Sequence, residues 1–377
     1  MSLPYLSLKP GISAQRMGAV RGASSIGLLL FACLQLHALI FFETGDPNHN
    51  TSPPIDQDIA SIWKLQGQWL SFVGTPIAPK YFITAAHVGG FAGMNFSING
   101  TTYQTRKSFT APGSDLKIWL ICGTFTEYAE INTNEEEKGR EALLFGRGTQ
   151  RGNPILSEDG ILKGWLWGKR DRVLRWGRNR VSEVCSSNWK GNRDCFGDLL
   201  EFNFDAAGEP DEVHLSVGDS GGGVFLKSED QWKLAGVNYA VSGPYRKRLE
   251  GGDVLGSIFD EGGLHLFVDG WNFMPDESVD LPGTLYATRI FSGLDWIQKI
   301  LDAPVEPDEF PELHSAANVH GPFHKKSSAI VTQSSVQIIL DPDEDQRFFR
   351  LSACCPLVID RIRQEESFLV LYYHPAR

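Results

Sequence analysis

Three short segments of this 377-residue chain carry side chains that together could break an amide bond. ITAAHV (83–88) puts His87 behind an apolar run, SDLKIWLI (114–121) puts Asp115 at the head of another, and VGDSGGGVF (217–225) puts Ser220 in a glycine-rich turn. Hydrolysis of an amide at neutral pH needs a serine activated by a base, a buried acid that fixes the tautomer of that base, and N–H donors for the developing oxyanion. His87, Asp115 and Ser220 are the types required. Gly218 has no side chain to keep its N–H from a bound carbonyl, and Ser220 supplies a second N–H. Each type also has a plainer use: structural histidines, aspartates that cap turns and Gly-Asp-Ser-Gly loops are common. The conjunction is what carries weight, with His, Asp and Ser in that order, 28 and 105 residues apart, each beside an apolar run.

Side chains from three distant segments meet only on a scaffold that folds them together. The 39 glycines, 20 prolines, 23 phenylalanines and 10 tryptophans favour many short strands and turns, so an all-β fold is expected. Strands are expected near 102–110, 115–122, 142–149, 161–167, 172–176, 198–204, 223–228 and 232–240, a spacing that suits a sandwich or barrel. One helix is expected at 292–301 (SGLDWIQKIL), with Leu294, Ile297, Ile300 and Leu301 on one face. Ser292 and Asp295 would form its capping box, and Pro304 would stop it.

The ends of the chain read differently. Arg16 and Arg21 precede an apolar run at 26–42, which turns polar at Glu43. That is the plan of a secretory signal peptide over 1–42, so the mature protein is expected to be exported, periplasmic or extracellular, and off the membrane after cleavage. Retention of the run as an anchor is the alternative. The Pro/Asn-rich stretch 43–61 reads as a lead-in segment. Cys185 and Cys195 bracket a polar loop and form a candidate disulfide, whereas Cys122 reads as a small buried core residue. His314, His320 and His324 fall in a polar linker (304–328), and no metal or cofactor is expected. Residues 329–377 read as a small β-rich module of four or five strands, too small to bury much core alone and so expected to dock on the rest of the chain or on another chain, with substrate, a surface or a partner left open as what it binds.

Net charge is −11, with 35 basic against 46 acidic residues, which counts against nucleic acid and anionic membranes as partners. The basic stretch 163–180, with Trp165, Trp167 and Trp176, reads as a hairpin whose tryptophans pack on arginine stems.

The order His, Asp, Ser is the chymotrypsin order, unlike those of subtilisin and the α/β-hydrolases. TAAH (84–87) and GDSGG (218–222) match the histidine and serine signatures of the trypsin-like serine peptidases, and the chain resembles that family, in its cysteine-poor bacterial form. LLFGRGT (143–149), WKLAGVNYAVSG (232–243) and LYATRIFSGLDWIQKIL (285–301) are similar to further family segments, so the likeness covers about 62–303. It implies two six-stranded antiparallel β-barrels, at about 62–150 and 151–290, with a C-terminal helix at 292–302. It also implies His87, Asp115 and Ser220 as a triad in the cleft between the barrels, with the N–H groups of Gly218 and Ser220 as oxyanion hole. The implied activity is that of an exported serine endopeptidase acting on protein or peptide substrates through an acyl-enzyme. The alternative is a binding protein on the same fold that has lost turnover, for example because the inserted segment 244–283 closes the cleft. No Ile-Val-Gly-Gly activation sequence precedes the first strand. His214 stands six residues before Ser220, where members that cut after Arg or Lys carry an aspartate, so the resemblance places it in the specificity pocket and argues against that preference.

Overall fold

The computed structural model describes residues 39–186, 196–228 and 230–304, and towards the C-terminus residues 312–316, 320, 322, 324–325, 329–332, 335–339, 348–352, 357–365 and 368–375. Strand β1 (Ile40–Phe41) and helix α1 (Gln57–Trp63) lead into β2 (Gly67–Trp69), β3 (Phe72–Ala78), β4 (Tyr81–Ala85), β5 (Asn95–Ile98), β6 (Thr101–Thr110) and β7 (Leu116–Ile121). The last six close an antiparallel barrel in the order β2-β3-β4-β7-β6-β5. Its interior is aromatic: Trp69, Phe82, Phe96 and Trp119 are all but fully buried, with the rings of Phe82 and Phe96 stacked 4.0 Å apart. Burial of four such side chains supplies a large share of the apolar area that closes the barrel.

After β8 (Glu141–Gly146), β9 (Thr149–Leu156) and β10 (Leu162–Arg170) form a hairpin, followed by β11 (Arg175–Cys185), β12 (Leu199–Asn203), β13 (Val213–His214), β14 (Gly223–Ser228) and β15 (Gln231–Val241). The inserted segment contributes β16 (Tyr245–Arg246), β17 (Gly256–Ile258), β18 (His265–Phe267) and β19 (Trp271–Phe273), and β20 (Thr284–Arg289) precedes helix α2 (Leu294–Leu301). A second closed antiparallel barrel runs β11-β12-β20-β15-β14-β8. Two closed six-stranded barrels with few helices are consistent with the trypsin-like fold that the motifs imply. Strand β8, placed by the sequence reading at the end of the first barrel, belongs to the second, because it pairs with β11 and β14. The insertion lays β17 along β10, pairing Ile258 with Gly164, while β16, β18 and β19 make a sheet of their own.

Several local readings change. Residues 43–61 are no plain lead-in: Asp56 caps α1 through its side chain, accepting from the N–H groups of Asp58 and Ile59. Strand β11 begins at Arg175, so most of the strand expected at 172–176 is the irregular connection between β10 and β11. Helix α2 lacks the capping box, because the Ser292 hydroxyl donates to Asp198 Oδ2 at 2.6 Å instead. Cys122 is buried but disulfide-bonded, as is Cys185; Cys195 lies outside the described residues. Beyond α2, the expected linker contains β21 (Glu312–Ala316) and β22 (His324–Lys325), followed by β23 (Ile330–Val331), β24 (Ser335–Ile339), β25 (Phe348–Ser352), β26 (Leu357–Glu365) and β27 (Phe368–Pro375) in two small sheets. Strand β21 pairs with β25, which draws part of that linker into the β-rich C-terminal part.

The end of the apolar run read as an export signal is part of the fold. Ile40 and Phe41 pair antiparallel with His214 and Val213, and Leu39, Ile40 and Phe41 are at most 3% exposed. The chain then runs on as a strap: Phe42 N–H donates to Glu212 O, Arg151 to the carbonyls of Phe41 and Phe42, and Arg175 Nη2 to Pro47 O at 2.7 Å. His49 Nε2 lies 2.6 Å from Asp211 Oδ1, and Trp176 Nε1–H reaches Ser52 O. Residues 1–38 lie outside the described residues, and no described helix is long and apolar enough to cross a membrane.

Candidate active site

The first barrel positions His87 and Asp115. Strands β4 and β7 are neighbours, with Ala85 opposite Leu116, so the residues just past the end of β4 come to lie beside the one just before β7. His87 sits in a single 3-10 turn after β4 that Gly89 ends at φ +74°, a conformation that favours glycine. Asp115, 4% exposed, holds this turn three ways. Its carbonyl accepts Ala86 N–H at 2.7 Å, Oδ1 accepts His87 N–H at 2.9 Å, and Oδ2 faces His87 Nδ1 at 2.6 Å. An ionised carboxylate only accepts, so Nδ1 carries the proton and Nε2 offers its lone pair outward. Ser220 Oγ lies 2.8 Å from that nitrogen. The three residues singled out in the sequence are thus brought together across the two barrels.

The second barrel positions the turn that carries Ser220. Gly218 adopts φ +107° and Gly221 φ +79°, and a side chain on Gly222 would run into the Phe145 carbonyl. Asp219 points inward, fully buried: Oδ1 accepts Gly148 N–H at 2.7 Å, and Oδ2 accepts the N–H and hydroxyl of Ser216, each at 2.8 Å. Burial pushes Asp219 up to about 6, against those donors and the nearby Arg175 charge. Asn238 Nδ2 ties the turn to β8, donating to Phe145 O at 2.8 Å and Asp219 O at 3.0 Å. Among the described residues the N–H groups of Gly218 and Ser220 have no acceptor within the chain, which leaves both for an incoming carbonyl oxygen. Ala240 and Val241 pair with β20 on one side only, since β14 leaves β15 at Val237, so an extended chain can add along the other edge.

Beneath this turn lies a buried charge network. Arg175 Nη1 reaches Asp171 Oδ2 at 3.1 Å with both side chains at most 1% exposed. Burial pushes Asp171 up to about 7 and lowers Arg175, although a guanidinium keeps its charge in proteins.

His214 is not where the sequence reading put it. It is 1% exposed, with Nδ1 2.7 Å from Leu215 O and its ring against Phe204, and β1 runs alongside. Burial lowers it to about 4, so it is neutral at pH 7 and sits in the core rather than on an open pocket wall. Glu212 is buried too, its carboxylate accepting the N–H groups of Asp205 and Glu209 while desolvation pushes it up to about 8. Sequence reasoning also missed Asn238, Ser216 and the strap. A lone asparagine inside the apolar strand 234–241 is the one signal that could have marked Asn238; the strap left none. No protein-family model matches the chain, and no curated protein matches its sequence.

Proposed function

We propose that the protein is a serine endopeptidase that hydrolyses peptide bonds through an acyl-enzyme. The observation that carries this reading is the continuous hydrogen-bonded line from Asp115 through His87 to Ser220, at 2.6 and 2.8 Å. Ser220 Oγ attacks the scissile carbonyl as His87 Nε2 takes its proton, while Asp115 holds the imidazole and stabilises the imidazolium that forms. The carbonyl oxygen moves onto the N–H groups of Gly218 and Ser220, where the developing charge is worth most because these donors are fixed in advance. His87 then gives its proton to the leaving amine. A water takes the amine's place, and the same steps in reverse release the acid.

The Asp219 network supports the reading from below. A turn that must offer two N–H groups within hydrogen-bond reach of one oxygen tolerates little movement, and three donors on one buried carboxylate restrict it. No freed N-terminus is needed for that, since the donors come from Gly148 and Ser216. The decisive experiment is labelling of the full chain by a fluorophosphonate, which reacts only with an activated serine. Labelling at Ser220 that disappears in His87→Ala is expected. A folded protein that neither labels nor cleaves a mixed peptide library would overturn the reading.

A further inference from the structure

Resting on that reading, we propose that the site favours substrates carrying aspartate or glutamate shortly after the scissile bond. The direction of the substrate comes first. A chain whose carbonyl oxygen sits on Gly218 and Ser220, and whose acyl half adds to the one-sided edge at 240–241, must carry its leaving half away from that edge, past Gly218. The groups waiting there are cationic. A side chain built on Gly218 would meet Arg170 Nε at 3.0 Å and Nη2 at 3.1 Å, so this guanidinium lies against the Gly218 backbone.

Arg170 is held in place without being neutralised. Its Nη2 donates to Ser71 Oγ at 3.2 Å, and the guanidinium lies 5.1 Å over the Phe72 ring. Among the described residues, Lys169, Arg170 and Arg172 have no carboxylate at ion-pair distance. The nearby Asp219 is fully buried and already occupied by its own donors. Two residues on, Arg172 lines a cavity of about 550 Å³ whose other walls include Trp63, Gln66, Gln68 and Asn99. Gln68, which lines it, belongs to the strand that ends two residues before Ser71, the hydrogen-bond partner of Arg170. No carboxylate lines it. Arg147 also lines it: Nη1 donates to Arg172 O at 2.9 Å, while the buried Nε finds no acceptor among the described residues.

Two guanidinium groups without a carboxylate at ion-pair distance among the described residues, Arg170 and Arg172, two positions apart on a chain of net charge −11, are not a general property of this surface. A planar guanidinium fixed by stacking and one hydrogen bond presents its remaining N–H groups to a carboxylate with little further loss of freedom. Uncharged side chains gain nothing comparable there, and lysine or arginine is repelled.

The test is cleavage of a peptide library varied at the three positions after the scissile bond, read by mass spectrometry, using full-length wild type, Arg170→Glu and Arg172→Gln. Fluorophosphonate labelling of each protein first establishes that the site is formed. Wild type is expected to cut peptides with Asp or Glu at one of these positions about tenfold or more faster than those with Lys, the scale of a hydrogen bond to a charged group. Arg170→Glu is expected to reverse that order, whereas a merely structural role would slow all peptides alike. Arg172→Gln, at an exposed position, is expected to weaken the preference, and serves if the reversal does not fold. Wild type that labels and cleaves without regard to charge after the bond would overturn this proposal alone, as would a preference that survives both substitutions. Wild type that neither labels nor cleaves would take the peptidase reading down as well.

Discussion

The two barrels share a strand count and are built on opposite chemistry. The first closes over packed aromatic rings, Trp69, Phe82, Phe96 and Trp119, and delivers His87 and Asp115 from the rim, where a single carboxylate organises one turn. The second closes over smaller aliphatic groups such as Ala142, Leu144, Val224 and Leu226, and buries charge: Asp171, Arg175, Glu212 and Asp219 are all below 9% exposed. A packed aromatic core is rigid by van der Waals contact and indifferent to pH. A buried charge network fixes direction, which a turn presenting Ser220 and two N–H groups requires, but it loses far more when one member is removed. The second barrel also needs β1 to complete its core, since Leu39 and Phe41 pack into it.

The most severe break of this division is at the residues proposed to react. Ser220→Ala is expected to lower kcat by about 10⁶-fold and Asp115→Asn by about 10⁴-fold, in steady-state cleavage of a peptide substrate. Thermal unfolding should change little in either. Retained turnover in Ser220→Ala would remove the basis for assigning the chemistry to this line.

The next contrast sets one barrel against the other. Arg175→Met leaves Asp171 buried without its partner and is expected to cost about 3–5 kcal/mol in urea denaturation, together with a fall in kcat as the turn around Asp219 loosens. Phe96→Leu, in the aromatic first core, is expected to cost only about 1–2 kcal/mol and to spare kcat below the unfolding transition. Equal costs would mean that the network contributes nothing beyond packing.

Phe41→Ala probes the strap. Removal of a ring that is 3% exposed is expected to destabilise by about 3–5 kcal/mol, and to lower kcat because β1 pairs with the strand that leads into the nucleophile turn. A chain beginning at residue 43 should show at least this loss. Unchanged stability in both would mean that residues 39–42 are dispensable.

The smallest effect is a slope with pH. Four buried carboxylates of the second barrel and its insertion sit above the ordinary range: Asp219 at about 6, Asp171 and Glu261 at about 7, and Glu212 at about 8. In each case desolvation is the largest cause; for Glu212 the backbone N–H groups of Glu209 and Asp205 oppose it, and the charges of the same two residues add to it. The native state then holds protons that the unfolded chain has already released, so this stability is present at low pH and is lost as pH rises through about 5 to 8. Urea midpoints are expected to fall across that window, and Glu212→Gln should make the decline shallower. A midpoint that rises with pH would show that the hydrogen bonds to these carboxylates outweigh their burial.

Much of the site was legible in the chain because its parts are local. His87 sits at the end of one strand, Asp115 at the head of another and Ser220 in a turn whose glycines adopt the conformations glycine favours, and each arrangement is written into fewer than ten consecutive residues. Strand positions followed for the same reason, since alternation and turn residues act over short stretches. Tertiary structure decided the rest, wherever a residue's role depends on a partner far along the chain. An apolar run ending at residue 42 has the same composition whether it is an export signal or a core strand, and only pairing with residues 213–214 makes its end a strand. His214 became a core residue because β1 runs beside it, and β8 joined the second barrel because its partners lie in β11 and β14. Arg170 was one basic residue among several until folding laid it against Gly218, 48 positions away. Local geometry is encoded in neighbours, whereas side-chain environment is set by whichever distant segment the barrels close upon.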